Sequence, residues 1–172
     1  MFDNVRRVVT VIGEDGVSRI ASDGVPPVAR RLPNAGASID EVWRFDALPG
    51  DIHAPGDPAE FSFLSPPNGF LVRRVEVPPD ATRFVDDAGN PREPGPDEGM
   101  HQTPTIDILQ ILEGELWLLL DSGEETCLRQ GDLVVQRGTV HAWRNRSDSV
   151  TRYLAIMVSA PLPHPIDHHA NP

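Results

Sequence analysis

The chain has 172 residues, 39% hydrophobic and 24% charged, which suits one domain with a real core and is too short for two of full size. Its 26 acidic and 15 basic residues leave a formal charge of −11, which repels phosphate backbones and anionic bilayers, so neither nucleic acid nor membrane is an expected partner. Eighteen prolines disfavour long helices, the lone Cys127 excludes an internal disulfide, and the N-terminus lacks the apolar run of a signal peptide or membrane span, so a cytoplasmic setting is expected.

Residues 5–22 carry two β-branched stretches around Glu14-Asp15-Gly16, which predicts a hairpin, an outer pair of strands expected to add to the sheets of the same domain. Residues 23–40, rich in Pro, Gly and Ala without periodicity, read as an extended surface connection. Ser38-Ile39-Asp40-Glu41 has the form of a helical capping box. The strand composition of Val42-Trp43-Arg44-Phe45 and the early Pro49-Gly50 decide for a strand instead. A second strand is expected at 70–77, bounded by Asn68-Gly69 and Pro78-Pro79. Five prolines, three glycines and six acidic residues make 78–99 a loop, with one short strand expected from Thr82 to Val85.

Beyond residue 100 the pattern is strand after strand: 105–112, 115–121, 126–130, 132–137, 141–145 and 151–160, parted by turns such as Glu113-Gly114 and Ser122-Gly123. Short strands at such spacing predict an all-β sandwich or small barrel. In 115–121, Leu116, Leu118 and Leu120 alternate with Trp117 and Leu119, and 151–160 is also apolar on both faces. Such strands need a barrel interior on one side and a second sheet or subunit on the other, and from this a homodimer is expected.

The spacing after residue 94 resembles that of the cupins. Their first motif is glycine, five residues, His-x-His, three or four residues, Glu, six residues, glycine. Here Gly95, His101-x-Thr103, Asp107 and Gly114 keep the spacing and change two identities. Of the second motif, Gly131, Gly138, His141 and Asn145 are present, while its proline is missing and one residue is deleted within 132–137. The resemblance implies an all-β, double-stranded β-helix of the jelly-roll type with extra N-terminal strands. The single domain then divides into N-terminal strands and loops (1–94), the motif core (95–160) and a mobile tail (161–172). Fold alone does not fix function.

In metal-binding cupins the matching motif positions hold one ion. Carried over, they are His101, Thr103, Asp107 and His141, of which His101, Asp107 and His141 can ligate iron, zinc or manganese, implying an enzyme of the dioxygenase, decarboxylase or isomerase class. Without a metal, His141 or His101 becomes the acid/base, Asp107 orients it and Thr103 hydrogen-bonds substrate. A third alternative is a module that binds a small ligand without turnover. Strand alternation puts Trp143 beside His141, and Leu109 and Ile111 beside Asp107, as the apolar lining of a site for a small organic molecule. His53, His164, His168 and His169 are expected to have no role in a site, and Cys127 to be a packed, inert thiol. Arg73, Arg74, Arg137 and Arg144 are expected mostly in solvent or paired with surface acids, with a substrate carboxylate as the alternative.

Overall fold

Alternating inward and outward side chains generate the strands that position the site. The computed structural model describes residues 5–32, 36–57 and 60–162. Its main sheet has six strands in the order β3(Ala29–Arg31), β4(Ser38–Phe45), β5(Phe70–Val77), β11(Thr151–Ser159), β6(Thr105–Glu113) and β9(Leu133–Arg137). Facing it is a three-stranded sheet in the order β10(His141–Arg144), β7(Glu115–Leu120) and β8(Glu125–Arg129). All pairings are antiparallel. This is the all-β double-stranded β-helix expected from the sequence.

The core lies between the two sheets. Leu71, Val75 and Val77 of β5, Leu109 and Ile111 of β6, and Tyr153, Ala155 and Met157 of β11 meet Leu116, Leu118 and Leu128 of the smaller sheet. Polar residues share the same inward parity: Arg73 stands between Leu71 and Val75, and Asp107 between Thr105 and Leu109. Their neighbours of opposite parity on β6, Ile106 and Ile108, point outward and are exposed.

Three local expectations are corrected. The hairpin forms as β1(Arg7–Ile12) and β2(Ser18–Gly24), but as a separate two-stranded sheet that does not extend the barrel. Its side chains are largely exposed on both faces, leaving no apolar side to lay on the core, and Arg7 ties it to the Val42 carbonyl and Asp57. Within the 23–40 connection, Ala29–Arg31 pairs with β4 as a short edge strand. The piece expected as a strand at 82–85 is instead one helical turn, α1(Asp80–Arg83). Pro79 stands at its N-cap, outside the turn, and Asp80 pairs with Arg83 at 3.0 Å. Most of the expected tail, with His164, His168 and His169, lies outside the described residues.

Candidate functional site

Gly138, at φ +61, turns the chain into β10, so that His141 opens the strand. His101 lies just before β6 and forms an isolated antiparallel bridge with His141, each backbone N–H donating to the other's carbonyl at 2.9 Å. The narrow pairing sets the imidazoles side by side, with centroids 4.3 Å apart and planes at 50°. His141 Nδ1 lies 2.9 Å from the Thr139 carbonyl, and His101 Nδ1 2.9 Å from the Gly99 carbonyl. A carbonyl only accepts, so Nδ1 of each ring carries a proton, and a ring in its neutral form has the Nε2 lone pair available.

Burial and the neighbouring His101 push the His141 imidazole down to about 4, so it is neutral at pH 7. Asp107 is moved the other way. It is 6% exposed, and burial raises its pKa against the opposing pull of the Thr105 hydroxyl and the charges of Arg73 and His101. Its Oδ1 is buried without a hydrogen-bond partner.

The expected lining residues lie as follows. Trp143 meets His141 edge-on at 5.5 Å and the Tyr153 ring at 6.0 Å. Leu109 and Ile111 are buried on the face of β6 that carries Asp107. Thr103 is half-buried, its hydroxyl 2.8 Å from that of Thr105. His53 is exposed in a turn, and Cys127 is half-buried with its thiol pushed up by desolvation.

The arginines depart from expectation. Arg73, Arg74 and Arg144 are buried, and only Arg137 is exposed. Arg73 faces the interior, pairs with the buried Glu41 at 2.7 Å and donates to the Ser62 carbonyl at 2.7 Å. Phe61 packs against the core with its centroid 5.5 Å from the Arg73 guanidinium carbon. Glu41 was not foreseen as part of this interior. A groove of about 700 Å³, lined in part by Pro94, Leu119 and Arg144, lies on the outer face of the smaller sheet and away from the histidine pair.

Comparison with known proteins places the chain. Residues 92–157 match the family Cupin_2, a cupin domain. Oryzines biosynthesis cluster protein J of Aspergillus oryzae is 30% identical over 149 residues, which is 85% of this chain and 77% of that protein. The chain belongs to the cupin superfamily. The cupin-domain-containing oxidoreductase fogC of Aspergillus ruber is 42% identical over 144 residues, covering 84% of this cupin and 66% of the relative. Phomopsin biosynthesis cluster protein D of Diaporthe leptostromiformis is 41% identical over 106 residues, 62% of this cupin. The match spans about half (51%) of that relative's length.

The metal set implied by the cupin motifs can be tested on the side chains. The two imidazoles offer Nε2, and Asp107 offers an orphaned oxygen. Among the described residues, however, no three or more His, Cys, Asp or Glu side chains are grouped so as to hold an ion. What the described residues offer an ion is the histidine pair with its two open Nε2 atoms. No helix among the described residues is long and apolar enough to cross a membrane.

Proposed function

We propose that this cupin is an enzyme of small-molecule biosynthesis that moves protons on an organic substrate inside the barrel, an isomerase- or lyase-type reaction. His141 is the base and Asp107 the acid. The observation that carries this reading is the opposite displacement of the two groups, His141 down to about 4 and Asp107 upward. Environments that drive two titratable groups apart assign acid and base roles. At neutral pH the His141 Nε2 lone pair takes a proton from carbon, and its Nδ1 hydrogen bond to the Thr139 carbonyl steadies the imidazolium that forms. Asp107, whose burial favours the protonated form, is the group that gives a proton to an oxygen of the same substrate, so charge does not accumulate on the organic molecule. The packed surroundings of Leu109, Ile111, Trp143 and Tyr153 keep bulk water from competing. The names of the relatives support a biosynthetic setting.

A second reading, redox chemistry with a divalent ion at the histidine pair, is favoured by the oxidoreductase name of one relative and by the two Nε2 atoms left open.

Deuterium wash-in separates the two readings. The chain is incubated in D2O with a panel of carbon acids (1,3-diketones and α-hydroxyketones) with and without a chelator, and exchange is read by NMR. Proton transfer by the side chains predicts chelator-insensitive exchange that His141→Ala lowers at least 100-fold, within the ~10²–10⁴ range of general base catalysis. Exchange abolished by chelator, or none above solvent background, overturns this reading.

A further inference from the structure

We propose that Arg73 is a further binding residue of the barrel and that, with Asp107, it seats an uncharged substrate oxygen, a hydroxyl or carbonyl on an otherwise apolar molecule. The inference rests on the barrel interior being the reaction site and adds to it the class of substrate.

Two orphaned atoms motivate it. Arg73 Nε and Asp107 Oδ1 are both buried without a hydrogen-bond partner, on residues only 5% and 6% exposed. One is a donor, the other an oxygen that accepts when ionised and donates when protonated. Buried polar atoms left in this state are rare and costly, and the pair is complementary to a single hydroxyl or carbonyl group.

The strand register puts the two residues on one wall. Arg73 on β5 and Asp107 on β6 flank β11, where Ala155 pairs with Arg73 and Met157 with Asp107. Of the inward residues of β11, Thr151, Tyr153, Ala155 and Met157, alanine is the smallest, so the wall between the two polar groups is low at the level of Arg73. The Arg73 charge acts on Asp107 across this space.

Arg73 is held back from pairing with Asp107 directly. Its terminal nitrogens are drawn toward β4 and the 60–64 segment by Glu41 at 2.7 Å and by the carbonyls of Ser62 and Phe63 at 2.7 and 3.4 Å. Charge then selects the ligand. Glu41 already balances the guanidinium, so a substrate carboxylate would be a second buried anion sharing the single Arg73 charge. An uncharged oxygen meets both orphans at no such cost, and Leu109, Trp143 and Phe61 favour an apolar remainder.

The test uses the full chain and three probes of one shape: cyclohexanol, cyclohexanone and cyclohexanecarboxylate. Affinity is read by calorimetry, and the Arg73 Nε–H signal, assigned with Arg73→Lys, by ¹H–¹⁵N NMR. The expected result is a shifted Arg73 signal with the alcohol or ketone and at least tenfold weaker binding of the carboxylate. Arg73→Lys keeps a cation for Glu41 but removes Nε–H, and should weaken the neutral probes at least tenfold. Should that variant fail to fold, Asp107→Leu serves instead, with a raised Tm and lost probe binding expected. An unmoved Arg73 signal, equal affinity for the carboxylate, or no binding overturns the inference. His141→Ala separates it from the proton-transfer reading, because it should keep probe binding while losing exchange. Exchange without probe binding sinks the inference alone, and probe binding without exchange sinks the proton-transfer reading alone.

Discussion

His141 couples the site to the stability of the fold. Its imidazole is held near 4 in the folded chain against an ordinary value of 6.5. Between these values the unfolded chain binds a proton that the folded chain refuses, so stability rises with pH across this window and is lost on acidification. A displacement of this size corresponds to on the order of 3 kcal/mol. Asp107 and Glu41, both pushed up by burial, act in the opposite sense, because the folded chain takes their protons first as pH falls. The readout is therefore a difference. Urea unfolding of wild type and His141→Gln at pH 7 and pH 4.5 should show the wild type losing more stability than the variant. Equal losses would mean that His141 is not held neutral.

The turn that joins β6 to β7 shows how one residue fixes an element. Gly114 sits at φ +79, and a Cβ there would lie 2.8 Å from Thr151 Oγ1. Gly114→Ala should destabilise the chain by about 1–2 kcal/mol from the left-handed backbone alone, with the clash adding to it. Denaturant midpoints measure this, and an unchanged midpoint would show that the turn relaxes. Such turns, with the alternation between them, are why strands 70–77, 105–112 and 151–160 were legible: the breakers at Pro78-Pro79 and Gly114 stand where the ladders end. The one-turn helix at 80–83 was not, because its only signals are the proline before it and an Asp80–Arg83 pair that needs the turn already formed. At the site, the two histidines could be picked out by motif spacing, but their contact depends on a bridge between residues 40 positions apart, which no local pattern carries. Parity could have marked Arg73, since Leu71, Val75 and Val77 share its face, but it was expected mostly in solvent or paired with surface acids. Its partner Glu41 lies beside the register shift between Glu41 and Trp43 in β4, and that shift defeats an alternation count.

At the scale of the molecule, the two strands that suggested a dimer have different fates. Trp117 and Leu119 on the outer face of the smaller sheet are half-buried by the chain itself. Arg146 lies over the Trp117 ring at 4.4 Å, and Leu119 lines the groove under Pro91–Pro96. Among the described residues, nothing comparable covers the outer face of the main sheet. Ile106, Ile108 and Leu112 of β6 are about 40% exposed and Leu133 and Val135 of β9 about 60%, beside the half-buried Leu154, Ile156 and Val158 of β11. The register sets Ile108 between Ile156 and Val135, so these side chains form one apolar field. Monomers rarely leave such a field open, and a two-fold pairing of like faces would cover it, with about 800 Å² per partner needed for a stable interface. We expect a dimer by sedimentation equilibrium at micromolar concentration. Ile108→Lys, at the centre of the field, should give a folded monomer with an unchanged circular dichroism spectrum, whereas Val8→Lys on the separate hairpin should leave the dimer intact. A monomeric wild type at tens of micromolar, or a dimer indifferent to Ile108→Lys, would rule out this face as the contact between copies.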